Sequence, residues 1–178
     1  MQKDQRYPIG KFDHNITVTK EMRSDCIKTI ETLPSQLRTE VENLSEQQLD
    51  TPYRKGGWTV RQVIHHLPDS HINAYVRFKL ALTETNPTIK TYEEHLWAEL
   101  PDTFKTPIDV SLTLLESLHA RWAVLLRSLI DEQLEKTFQH PEWGDITLDK
   151  TLALYAWHSK HHLAHITELK KKMGWQDL

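Results

Sequence analysis

Four of the eleven histidines in this 178-residue chain fall between positions 158 and 165, in the run Trp157-His158-Ser159-Lys160-His161-His162-Leu163-Ala164-His165. Residues four apart on a helix share one face about a turn apart, so His158 with His162, or His161 with His165, could present two imidazoles to one ion. The stripe Thr151, Tyr155, His158, His162, His165 and Leu169 advances in steps of four and three, the period of a core-facing helix surface. His161 sits on a flank with Leu154, Trp157 and Ala164, which makes His158 and His162 the preferred pair. Three imidazoles where a helix bundle would hold leucine need partners, because an unpartnered buried polar group is costly. One divalent metal ion would supply them. Cys26 is the only cysteine, which excludes a thiolate cluster and an intramolecular disulfide, so the ligands must be His, Asp or Glu.

Two ligands hold an ion poorly, and a third must come from another helix. The candidates are His65, His66 and His71 in the segment that begins Trp58-Thr59-Val60-Arg61-Gln62. Its apolar stripe runs Val60, Ile64, Leu67, His71, Ala74, Phe78 and Ala81. At about 100° per residue, His65 points away from that stripe, His66 falls on its edge and His71 lies within it. Spacing removes His65 and leaves His66 and His71 open. His119, His95 and His140 are lesser candidates, read as surface or packing residues.

The elements that must carry these residues are helices. Glycine is scarce, with five residues, and the long apolar runs have helical period, so the chain is expected to be all-α, with no convincing strand. The first helix starts near Thr19, a suitable N-cap, and carries Met22, Ile27, Ile30, Leu33, Leu37 and Val41, with Pro34 expected to kink or break it. A single turn over Ser45 to Asp50 and the loop Thr51 to Gly57 follow. Thr59 with Gln62 forms a capping-box pattern at the start of the second long helix, which Pro68 should bend. Residues 86–105 read as a long ordered crossover. A third helix from about Asp109 shows the stripe Val110, Leu114, Leu118, Arg121, Leu125 and Leu129. The last runs from about Thr147 to Met173, with Gly174 as terminator. Four long amphipathic helices and one long crossover predict a single four-helix-bundle domain over residues 1–178, with up-down-down-up order because the crossover can span the bundle.

The bulk composition narrows the function. Twenty-two basic residues against 25 acidic ones lack the excess expected of a nucleic-acid binder. No stretch approaches the roughly 18 apolar residues of a membrane span, and Met1 to Lys11 lacks the apolar centre of a signal peptide. A cytoplasmic protein without nucleic-acid or membrane partners is expected.

The motifs Gly57-Trp58-Thr59-Val60-Arg61-Gln62-Val63-Ile64-His65-His66-Leu67, Asp69-Ser70-His71, Leu154-Tyr155-Ala156-Trp157-His158 and His161-His162-Leu163-Ala164-His165-Ile166 resemble the YfiT-type members of the DinB-like superfamily. The likeness extends to Arg6-Tyr7-Pro8-Ile9-Gly10, Leu49 to Arg54 and Trp97 to Pro101. It implies a four-helix bundle, a homodimer, a small-molecule substrate and one metal ion, zinc or nickel, held by three histidines. In the family pattern the ligand on the second helix follows the motif tryptophan by eight residues, at His66, and the other two fall at His158 and His162. Members of the wider superfamily transfer low-molecular-weight thiols such as bacillithiol. Pro68 departs from the small residue expected there.

Three neutral imidazoles leave an ion its full charge, so it would acidify a water or hold a thiol as thiolate. A metal-dependent hydrolase is the first reading and a thiol S-transferase the second. No HExxH pattern is present and no glutamate lies between His158 and His165, which argues against a zinc protease. Residues that could support the ligands are His161, His165, Tyr155 and Asp69. Arg61, Arg77 and Arg121 could hold an anionic substrate. A third reading makes the metal structural and the protein a binding module, although structural sites are normally closed by a fourth ligand.

Overall fold

A computed structural model describes residues 4–175. Among them, helix α1 (Lys20–Val41) starts where its cap predicts, with the Thr19 hydroxyl accepting from the Met22 N–H. It continues unbroken through Pro34. A short α2 (Glu46–Leu49) precedes α3 (Val60–Thr83), whose reciprocal Thr59 and Gln62 side-chain bonds are the capping box read in the sequence. Helix α3 likewise passes through Pro68. The crossover contains two short helices, α4 (Glu94–Trp97) and α5 (Pro101–Lys105), and leads into α6 (Ile108–Ser128). A further turn, α7 (Asp131–Leu134), comes before β1 (Thr137–His140), β2 (Gly144–Thr147) and α8 (Leu148–Met173). Gly174 ends α8 at φ 69°, the left-handed conformation that glycine adopts without steric cost.

The two buried apolar clusters fix the helix directions. One joins Ile30 of α1, Phe78 and Ala81 of α3, Trp122 and Leu126 of α6, and Leu148 and Leu152 of α8. The other joins Leu37 and Val41, Val60 and Val63, Leu112 and Leu115, and Ile166 and Leu169. The start of α1 and α8 therefore meets the end of α3 and α6, which is the up-down-down-up arrangement. Because α3 and α6 run parallel, their connection must travel the length of the bundle, and residues 84–107 do so. Among the described residues no helix is long and apolar enough to cross a membrane.

Two sequence expectations need correction. The strands β1 and β2 pair antiparallel, with Phe138 opposite Ile146 and both buried. Each strand has four residues, and one inward apolar side chain apiece is too little alternation to show a period of two. The second concerns α6, whose buried face is Leu112, Leu115, His119, Trp122 and Leu126, while Val110 and Leu114 are exposed. The helix is apolar on two sides, and the stripe read from the sequence is largely the outer one. His119, read as a surface or packing residue, is buried on the inner face.

Candidate metal centre

Helices α3 and α8 lie antiparallel and turn His66 and the pair His158 and His162 towards one another. The Nε2 atoms of His66 and His158 stand 3.3 Å apart. Each of the three histidines offers a ring nitrogen within 4.8 Å of the other two. Two nitrogens bound to one tetrahedral zinc ion at ordinary bond lengths are about 3.4 Å apart, so the His66 and His158 rings already have the separation of co-ligands. His162 Nδ1 is buried with no hydrogen-bond partner among the described residues, which leaves a polar ring short of a contact. The Trp58 ring walls this group, 4.7 Å from the His66 ring and 6.4 Å from that of His162. The donor set and its spacing fit a divalent ion.

His161, His162 and His165 also come within 4.8 Å of one another. These three share a single helix, His161 is stacked on Trp157 at 4.4 Å, and His165 is stacked on Tyr53 at 4.0 Å with its Nε2 3.3 Å from the Arg6 carbonyl. Their rings are occupied as walls, whereas His66 and His158 converge from two helices on a common point.

Burial keeps the converging rings neutral, the form in which imidazole binds metal. Desolvation, then the neighbouring His161 and His165, pushes His66 down to about 3. Desolvation and the adjacent rings hold His158 and His162 well below the ordinary histidine range. Burial brings His161 and His165 to about 4. The group opens into a cleft of about 820 Å³ walled by Trp58, Arg77, Tyr92, Glu94, His140 and Trp157. The Ser70 hydroxyl lies 3.5 Å from His158 Nε2 and is the nearest side-chain oxygen bonded to that ring.

The remaining sequence candidates are distributed around this point. His65 turns away as expected, its Nδ1 2.7 Å from the Ser111 hydroxyl of α6. Tyr155 is buried with its ring 5.5 Å from that of His158, and desolvation raises its phenol so that it stays protonated. Asp69 does not line the cleft; burial and the nearby Asp102 carboxylate raise it to about 6. Arg61 is committed to Asp50 and Glu46, and Arg121 lies over the Tyr75 ring at 5.8 Å, so of the three arginines Arg77 alone lines the cleft. His95 and His140 are on the cleft wall, and His140 stacks on Trp143 at 4.3 Å. His71, weighed as a ligand, instead stands behind His158 with its Nε2 3.1 Å from His158 Nδ1. The sequence put His71 on the buried stripe of α3 but left its role open between ligand and neighbour, and it gave His119 no part beside the site.

Residues 29–166 match the DinB superfamily. The chain is 59% identical over 172 residues to proteins named "Putative metal-dependent hydrolase" from Bacillus cereus (strain 03BB102) and Bacillus thuringiensis subsp. konkukian (strain 97-27), covering 97% of this chain and 99% of each relative. Among solved structures it is similar to YfiT from Bacillus subtilis, described as a probable metal-dependent hydrolase with an unusual four-helix bundle topology. That likeness has a TM-score of 0.93 and 50% identity, over 97% of this chain and 99% of that one. TT2238, a four-helix bundle protein, shares the fold at a TM-score of 0.59 and 19% identity, over 82% of this chain and 98% of that one. The all-α bundle, the histidines that converge within it and these likenesses together make the chain a member of the DinB superfamily, of the YfiT-like type.

Proposed function

We propose that the chain is a metal-dependent hydrolase in which His66, His158 and His162 hold one divalent ion, zinc or nickel, at the floor of the cleft. The observation that carries this reading is the 3.3 Å approach of His66 Nε2 to His158 Nε2 from two different helices. The names of the relatives agree with the reaction class. When bound there, an ion with three neutral ligands would bring a water's pKa towards neutrality or hold a thiol as thiolate. The chain's own residues supply the rest. Trp58 and Trp157 restrict water and offer flat apolar walls, Arg77 provides a positive charge for an anionic substrate group, and Ser70 and Tyr155 keep their hydroxyl protons near the ligands.

The size of the cleft favours a second reading. About 820 Å³ is ample for a drug-sized molecule and leaves room for a cosubstrate, which suits a transferase using bacillithiol or a similar thiol. The homodimer implied by the resemblance has support in the exposed apolar side chains Ile72, Val76, Leu100 and Phe104 on and near α3 and α5.

Metal analysis of protein purified without an affinity tag, followed by assays with and without a thiol, tests these readings. Turnover of simple esters or amides that is lost on chelation and restored by zinc or nickel is the expected result. Metal-dependent loss of free thiol in the presence of an electrophile would select the transferase. A fold that melts when the metal is removed would make the ion structural and refute the enzymatic reading.

A further inference from the structure

The strongest unassigned feature is a row of buried imidazoles that runs away from the cleft. It begins at Ile30 in the middle of α1. The carbonyl of a helical residue normally accepts from the N–H four residues on, but that residue is Pro34, which has none. The Ile30 carbonyl instead meets Nδ1 of His119 on α6. Nε2 of His119 lies 2.8 Å from Nδ1 of His71 on α3, and Nε2 of His71 lies 3.1 Å from Nδ1 of His158 on α8. Four elements are thus joined by one line of contacts that ends on the ring facing His66.

The line has a direction. A carbonyl only accepts, so His119 must carry its proton on Nδ1, and in the neutral ring its Nε2 is then an acceptor. The His71 proton is therefore on Nδ1, its Nε2 accepts, and His158 donates through Nδ1. That leaves the lone pair of His158 Nε2 pointing at the position shared with His66. Burial favours the neutral form of every ring in the row. Packing removes the freedom to reorient: His71 is fully buried, with its ring 5.9 Å from Trp122 and 5.2 Å from Tyr155.

We propose that His71 and His119, terminated by the Ile30 carbonyl that Pro34 leaves free, are positioning residues that hold His158 in the tautomer and orientation needed to bind metal. The proposal rests on the reading of His158 as a ligand. It adds the device that keeps the ring aimed before any ion arrives. His162, whose Nδ1 has no partner among the described residues, has no comparable support, so the row makes His158 the anchored member of the set.

Two measurements test it. Nitrogen-resolved NMR of histidine side chains in the metal-free protein at pH 7.5 should show His71, His119 and His158 all protonated on Nδ1. An Nε2 proton on any of them would overturn the chain. Zinc affinity by chelator competition should fall about 10- to 100-fold in His71→Leu, the range for losing a group that orients a metal ligand. His71→Gln, whose side-chain oxygen can accept from His158 Nδ1, should recover most of that loss, and a structural role alone would not distinguish the two. Wild-type affinity in His71→Leu would overturn the positioning role, and if that variant does not fold, the tautomers of the unaltered protein decide the matter. Wild-type protein that binds no zinc would overturn the metal reading as well, whereas wrong tautomers with intact zinc binding would overturn only the chain.

Discussion

Acidifying the metal-free protein tests whether the histidines are buried and neutral. An unfolded histidine takes a proton near pH 6.5, while native His66 resists until about 3 and His119 until about 4, both because burial disfavours the charged ring. Below pH 6.5 the unfolded chain therefore binds more protons, so stability falls as pH falls and levels off only near the native values; above 7 these groups contribute no pH dependence. At pH 5 each costs about 2 kcal/mol relative to pH 7, about 4 kcal/mol for the two. His71, His158 and His162 are depressed in the same direction and add to the loss. Asp69, raised to about 6 by burial, works the other way. Its carboxyl is only partly buried, so it offsets about 1 kcal/mol at most. A net loss of about 3 kcal/mol or more is a large share of ordinary domain stability, and at a typical denaturant slope it lowers the urea midpoint by about 1.5 M. Urea titrations followed by circular dichroism in chelator at pH 7.5, 6.0 and 5.0 would measure it. A midpoint that stays put across that range would refute the argument, because it would mean that the rings are hydrated or already protonated in the native protein.

The site assignment predicts that His66→Ala, His158→Ala and His162→Ala each lower bound zinc well below the wild-type content, while His65→Ala leaves it near normal, as read by metal analysis after gel filtration. A metal-free His65→Ala protein, or unchanged content in the other three, would show that the wrong histidines were chosen. Away from the site, Arg61 holds α2 against the start of α3 through Asp50 and Glu46, and its side chain is buried while both carboxylates are exposed. Arg61→Ala should cost about 2 kcal/mol in urea unfolding at pH 7.5, the scale of charge-assisted bonds whose partners can return to water.

Much of the fold was legible because it is written locally. Thr19, the Thr59 and Gln62 pair and Gly174 mark helix ends by chemistry confined to a few residues. The stripe read for α3 is buried throughout and that for α8 nearly so, because their inward positions recur in regular steps of three and four, and the long crossover implied the parallel placement of α3 and α6. What failed depends on contacts between distant segments. The Phe138 and Ile146 pair exists only once the hairpin closes, and the inner face of α6 is chosen by what Trp122 packs against rather than by its own periodicity. The converging ligands were partly visible, since His158 and His162 lie on one stripe, but His66 and His71 could not be separated by spacing. Their different duties follow from a difference of five residues along α3, which turns His66 to the cleft and His71 towards α6.

Pro34 and the buried imidazoles share one rationale. A proline inside a helix removes a hydrogen bond and is disfavoured by about 3 kcal/mol relative to alanine, and α1 does not end at Pro34, so the residue does not serve as a helix stop. His71 and His119 are equally hard to justify by stability, since replacing a pair of hydrogen-bonded buried groups with apolar side chains of like shape is often neutral or favourable. Taken together the oddities resolve. The proline frees a carbonyl, the carbonyl fixes the proton on His119, and that choice passes through His71 to the ring of His158. Leucine at either position would fill the space and leave His158 Nδ1 or its support unpaired. The polar row therefore lies between two apolar clusters that already hold the helices together, where its cost can be borne by the packing on either side and its geometry is protected from water.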